Sequence, residues 1–335
     1  MFTTLRHETR MKAIVCTTLG GPELLQLQEV PSATLRPREV RVKVASAGVN
    51  FPDSLQIAGK YQMKLNPSFT PGAEVAGVVT EIGASVTRLK VGDAIAAFVP
   101  FGGYAEECVV TADMALPLPA AFNPVDAGGF PLVYGTTLHA LKQRGALKPG
   151  ETLLVLGAAG GVGLAAVQLG KLMGARVIAA ASSAEKLALC TAQGADAVID
   201  YSKESLKDAI KTLTKGNGAD VIYDPVGGAL GEECLSCVAW NGRYLVIGFA
   251  AGPIPNLAAN RLLLKGASAV GVFWGAFTAR EPLENAANFA QLFDWVQQGV
   301  LKPHISKRYA LADAPQALRD MMDRKVTGKI VLLPW

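Results

Sequence analysis

Metal-ligating side chains are scarce in this sequence: 335 residues hold three histidines and five cysteines. His7, His139 and His304 lie far apart, and none has a Cys or His partner at the spacing a zinc site needs. The single CxxC, Cys234-Leu-Ser-Cys237, has no second pair to complete a site. It falls in a stretch that reads as a helix between Gly231 and Trp240, so ordinary buried cysteines are expected there. An odd cysteine count without framework spacing excludes a disulfide scaffold and points to the cytoplasm. The opening MFTTLRHETR lacks the apolar stretch of a signal peptide, and residues 1–10 read as a mobile polar extension before the fold begins at Met11. Blocks of like charge are also missing. The 32 basic and 28 acidic residues are scattered and leave a net charge of +4, which excludes a nucleic-acid footprint.

Charge is absent altogether from Thr152 to Gly170. That stretch is about long enough to span a membrane, but its adjacent glycines Gly160 and Gly161 argue against a continuous span. The alternative is a buried strand over Leu153–Leu156, a turn Gly157-Ala-Ala-Gly-Gly-Val-Gly163, and a helix over Val162–Leu172. Glycines in such a turn let the backbone approach a pyrophosphate, whose charge meets the N–H groups of the helix start. Gly160, Gly161, Val162 and Gly163 are the residues expected to face it. A further absence follows. The next strand, Arg176–Ala180, is not followed by the Asp or Glu that grips the ribose 2′-hydroxyl of NAD. Ser182, Ser183 and Lys186 stand there instead, a set suited to a 2′-phosphate, so the cofactor expected is NADPH. A carboxylate ~4 Å from that phosphate would cost ~1 kcal/mol in water and ~4 kcal/mol in a partly buried site.

What is present divides the chain in two. Half of the residues are apolar, enough for a large core. Met11–Thr17, Val40–Ala47, Glu74–Ile82 and Cys108–Thr111 read as strands of a compact β domain over residues 11–130. From 131 to 272 helical and strand patterns alternate, which implies a doubly wound parallel sheet, with strands near 152–157, 176–180, 196–199, 220–223 and 243–247. A helix around Asn285–Gln298 and a strand at Lys329–Leu333 belong to a tail, 273–335, expected to return to the β domain. Ligands of open α/β sheets lie beyond the carboxyl ends of the strands. Gly248, Phe249, Phe273 and Trp274 sit at such ends and are expected to flank the nicotinamide.

Five ordered stretches carry a resemblance: Gly48-Val-Asn-Phe-Pro-Asp53, Pro71-Gly-Ala-Glu-Val-Ala-Gly77, Val91-Gly-Asp93, the Gly-rich turn, and Asp224-Pro-Val-Gly-Gly228. Together they resemble the zinc-free quinone oxidoreductase branch of the medium-chain dehydrogenase/reductase superfamily, over nearly the whole chain from Met11. The resemblance implies an α/β protein, a GroES-like β domain plus a Rossmann domain, with the active site in the cleft between them. Zinc-dependent relatives keep a cysteine where this chain has Asn50 and a histidine where it has Ala73, so the expected metal content is none.

The resemblance further implies roles. Asn50, at the vacated metal position, and Tyr61, in Gly59-Lys-Tyr61, are the expected catalytic donors to an acceptor oxygen. Thr136, at a helix start, is placed near the nicotinamide ribose, Tyr201 against the adenosine end, and Arg324 on a cofactor phosphate. The activity implied is NADPH-dependent reduction of a quinone or an activated α,β-unsaturated carbonyl. Two alternatives stand beside it: an enoyl-thioester reductase and a non-catalytic NADPH-binding protein. The expected partners are a small-molecule acceptor and a second copy of the chain, paired through the apolar edge Ser268–Phe273, with no membrane.

Overall fold

The structure is a computed structural model that describes residues 10–335, so most of the expected extension, His7 included, lies outside the described residues. The chain opens with β1 (Arg10–Cys16) and β2 (Leu25–Pro31), an antiparallel pair. Next come β3 (Glu39–Gly48), α1 (Phe51–Ile57), β4 (Glu74–Ile82), β5 (Ala94–Phe98), β6 (Glu107–Thr111), β7 (Ala115–Pro117) and α2 (Pro124–Ala127). β3 shows why these segments become strands. Val40, Val42 and Val44 face inward while Arg41 and Lys43 face out, so one register buries every valine. On the outer face Arg41 reaches Glu81 and Glu107 across the two neighbouring strands.

α3 (Pro131–His139) leads into a second compact unit, Val133–Lys302. Its strands and helices alternate: β8 (Thr152–Val155), α4 (Gly161–Leu172), β9 (Arg176–Ala181), α5 (Ala184–Ala192), β10 (Ala197–Asp200), α6 (Leu206–Leu213), β11 (Ala219–Asp224), α7 (Gly228–Cys234), β12 (Val238–Val246), α8 (Ala259–Lys265) and β13 (Ser268–Gly271). The six strands are all parallel, in the order β10-β9-β8-β11-β12-β13. That order reverses direction between β8 and β11, the switch point at which such sheets bind ligands. The charge-free stretch is explained here, because Leu153, Leu154 and Val155 of β8 and the run from Gly163 to Gly170 in α4 are buried. No described helix is long and apolar enough to cross a membrane.

α9 (Trp274–Arg280) and α10 (Pro282–Gln297) stay with this second unit. The return therefore begins at Pro303, not at 273, with β14 (Ile305–Ala310), α11 (Ala314–Met322) and β15 (Lys329–Leu333). β15 pairs with β3 and completes a seven-stranded sheet, β14-β15-β3-β4-β5-β7 with β6 also on β3. The core of this first unit runs from Ile14 through Val42, Val75 and Tyr104 to Leu318 and Leu332.

Two local expectations are corrected. The helix read between Gly231 and Trp240 ends by Cys237, because Val238 already pairs with Ala219 in the sheet. Thr136 is not at a helix start: α3 begins at Pro131, which supplies the fixed φ suited to a first turn, and Thr136 lies in its middle.

Candidate active site

In the second unit the turn after β8 is shaped by backbone contact. Gly157 adopts φ +55, and Gly163 lies so close that a Cβ there would stand 2.3 Å from the Gly157 carbonyl oxygen. Gly160 is the N-cap of α4 and no side chain caps the helix. A twelve-residue helix therefore presents its first amides uncapped behind a glycine turn, the arrangement that attracts a phosphate group. Thr137 of α3 bonds its own helix and β11, its hydroxyl meeting the Val133 carbonyl at 2.7 Å and the Tyr223 hydroxyl at 2.9 Å, and it reaches the first turn of α4 only at the Val162 carbonyl, 3.5 Å away.

β9 ends at Ala181. Ser182 is exposed, and Ser183 caps α5 by accepting the Lys186 N–H at 3.4 Å. Lys186 is thus held on the first turn of α5, beside the strand end. Sequence reading missed a neighbour. Asp200 ends β10 in register with Ala181, so a carboxylate does lie beside this corner, one strand over. It is already engaged, by the Ser202 hydroxyl and by Lys203 at 3.3 Å, and these bonds hold its carboxyl below the usual range. Tyr201 follows directly, half-buried, with its N–H on the Ala181 carbonyl.

Asp224, at the end of β11, organises the next loop. Its Oδ1 accepts the N–H groups of Val226 and Gly227, and its Oδ2 accepts the Tyr244 hydroxyl. Gly248 and Phe249 lie half-buried against this loop, and Phe273 is 62% exposed. Trp274 departs from its expected role. It is buried, its indole N–H donates to Asn285 at 3.0 Å, and its ring packs on Gly135 and Phe289. The structure makes it a packing residue between α3 and α10.

The first unit holds a buried polar cluster at the junction of β3, α1, β4 and β15. The Lys329 ammonium donates to Val49 O at 2.7 Å, Asn50 Oδ1 at 2.6 Å and Glu74 Oε1 at 2.8 Å. Asn50 Nδ2 donates to Glu74 Oε1 at 2.8 Å and to Gly48 O at 3.3 Å. Both ends of the Asn50 amide are therefore spent within the protein, and the donor to an acceptor oxygen expected of it is not available. Glu74 Oε2 accepts the Leu132 N–H, and Asp53 Oδ2 accepts the Asn50 N–H and the Tyr104 hydroxyl. Burial pushes the Asp53 carboxyl up to about 7, against the pull of Tyr104, the Asn50 amide and Lys329. Its other oxygen, Oδ1, is buried without a hydrogen-bond partner.

Tyr61 lies half-buried in the loop after α1. Burial, and then the negative charge of Asp53, push its phenol up, so it stays a proton-bearing donor at neutral pH. Arg324 sits on an exposed turn before β15 with φ +59.

A zinc ion does not fit this cluster. Ala73 offers no ligand atom, and the oxygens of Asn50 and Glu74 that could face a cation already face the Lys329 ammonium. Among the described residues no other group of His, Cys, Asp and Glu could hold a metal. Cys234 and Cys237 are buried, and burial raises both thiols, which makes them inert.

Comparison with known proteins agrees with both halves. Residues 36–120 match the alcohol dehydrogenase GroES-like domain, and residues 161–296 match the zinc-binding dehydrogenase family. A quinone oxidoreductase-like protein 2 homolog of Nematostella vectensis is 40% identical over 96% of this chain and 88% of its own length. The chain belongs to the quinone oxidoreductase family of the medium-chain dehydrogenase/reductases. Among solved structures, the Thermus thermophilus quinone oxidoreductase, also solved with NADPH, superposes with a TM-score of 0.83 at 37% identity, covering 96% of this chain and 100% of that one. The Escherichia coli quinone oxidoreductase, complexed with NADPH, gives 0.86 at 31% identity, covering 97% and 99%. The fold is thus a GroES-like domain joined to a Rossmann domain, and the family is one of oxidoreductases.

Proposed function

We propose that this protein is a zinc-independent, NADPH-dependent reductase of quinones or of activated α,β-unsaturated carbonyls. The observation that carries the reading is the corner at Ala181. There the strand ends without its own carboxylate, two serines follow, Lys186 is held on the first turn of α5 beside the exposed Glu185, and Lys203 offsets Asp200 at the end of the neighbouring strand. The NADPH held by the two solved relatives supports the same choice. Gly160, Gly161, Val162 and Gly163 would take the pyrophosphate, Ser182, Ser183 and Lys186 the 2′-phosphate, and Tyr201 the adenosine. Thr136, Gly248, Phe249 and Phe273 belong to the nicotinamide end, and Arg324 to a phosphate.

When bound, the nicotinamide supplies a hydride from C4, and the acceptor takes that hydride and one proton. Tyr61 is the group that donates to the developing oxyanion, since burial keeps its proton in place. Asn50 is fixed by Lys329 and Glu74 and shapes the wall on which the acceptor rests. The protein is further proposed to be cytoplasmic, since its five described cysteines are all free, and to self-associate. β13 is the outermost strand of its sheet, with Leu263, Leu264 and Trp240 exposed on the same unit, a surface suited to a second copy.

The test is loss of NADPH absorbance at 340 nm with 9,10-phenanthrenequinone, an aryl enone and crotonyl-CoA in turn. Turnover with the quinone or the enone is expected. Turnover with the thioester alone would replace the proposal by an enoyl-thioester reductase, and saturable NADPH binding without turnover would leave a binding protein.

A further inference from the structure

We propose that Lys329 is the positioning cation of the acceptor half-site, fixing the Asn50 amide and offsetting the carboxyl groups of Glu74 and Asp53. The ammonium is buried, and its three protons meet three acceptors at 2.6 to 2.8 Å. Because an ammonium only donates, it must face Oδ1 of Asn50, which forces Nδ2 toward Glu74 and leaves one amide orientation. Stability alone is a poor account of such a cluster, since a buried ion pair is often matched or bettered by apolar residues of the same volume. The network is also incomplete in one place: Asp53 Oδ1 is fully buried and unpartnered. An orphan of this kind calls for a functional explanation.

The groups that face the ammonium come from each packed element. They are the Val49 carbonyl and Asn50 just after β3 and Glu74 at the start of β4, while Asp53 on α1, bonded by the Tyr104 hydroxyl, feels the charge without a direct bond to it. His304 contributes its backbone carbonyl to the Lys329 N–H. Among these described groups one cation stands against two carboxyl groups. Removing it frees the amide to rotate, leaves Glu74 with only the Leu132 N–H and the amide, and strengthens the hold of Asp53 on its proton. Tyr61, which feels the charge of Asp53, would follow.

The kinetic part of this proposal rests on the reductase reading, and the electrostatic part does not. K329A and K329M would be compared with wild type by NADPH fluorescence titration, quinone kinetics from pH 5 to 9, and melting temperature over the same range. Expected are an unchanged NADPH Kd, a kcat lowered about ten- to hundred-fold, and a pH limb displaced upward. Methylammonium should restore part of the K329A rate, and tetramethylammonium, which cannot donate, should not. A K329M protein that folds and keeps the wild-type kcat and pH profile would overturn the proposal, as would K329A without amine rescue. If wild type itself reduces no acceptor, the reductase reading fails and the melting curves decide. A pH dependence displaced upward in K329M supports Lys329 as the cluster's cation, and coincident curves overturn it.

Discussion

Three side chains test separable parts of the proposal. Lys186 is assigned to the 2′-phosphate, so Lys186→Glu should raise the Kd for NADPH about ten- to hundred-fold and leave NADH within about two-fold, as read by fluorescence titration. Equal losses for both dinucleotides would remove that assignment. Tyr61→Phe deletes one donor and keeps the ring, so kcat with a quinone should fall about a hundred-fold while NADPH affinity holds. An unchanged rate would leave Tyr61 as a packing residue. Asp53 makes a prediction about stability. Its carboxyl is raised in the fold from 3.8 to about 7, so between those values the folded state binds more protons than the unfolded one. This contribution is fully present below the lower value and is lost as pH rises through the higher one. The melting temperature of wild type minus that of Asp53→Asn should therefore decline from pH 4 to 7 and level off above. A flat difference would contradict the buried, proton-holding Asp53.

Elements show where the sequence was legible and where it was not. The glycine turn and α4 could be read closely, because their determinants are local: apolar strand, glycine spacing and helix follow one another along the chain. β4 and β15 were read to their end residues for a similar reason, since each is a β-prone apolar run bounded by a local turn signal. The tail was misjudged because the helical pattern in α10 reports a helix without saying which core it joins. Thr136 was misplaced because the signal for the true start, Pro131, lies outside the stretch that drew attention to it. The Lys329 cluster was invisible for a stronger reason. Lys329 and Asn50 are 279 residues apart, and no local pattern announces a buried lysine. At this scale Gly163→Ala tests the turn. The new methyl would press on backbone at 2.3 and 2.8 Å, so a loss of about 1–3 kcal/mol by denaturant unfolding is expected. Gly160→Ala meets only one atom, at 3.4 Å, and should cost well under that. Similar losses at both sites would show that the close packing of α4 on the turn is not what Gly163 protects.

The molecule as a whole joins a dinucleotide-binding fold to a β domain whose polar centre is held by a side-chain cation. Its exposed β13 edge gives one prediction about assembly. Light scattering should show wild type as a dimer or larger, and Leu264→Glu should weaken that assembly while NADPH binding persists; a monomeric wild type would contradict it. The central claim is metal-free, NADPH-dependent reduction. It is tested most directly by the rate of NADPH oxidation with a quinone before and after exhaustive dialysis against a zinc chelator. The account predicts the same rate in both samples. A rate lost on chelation and restored by added zinc, or no NADPH oxidation in either sample, would contradict it.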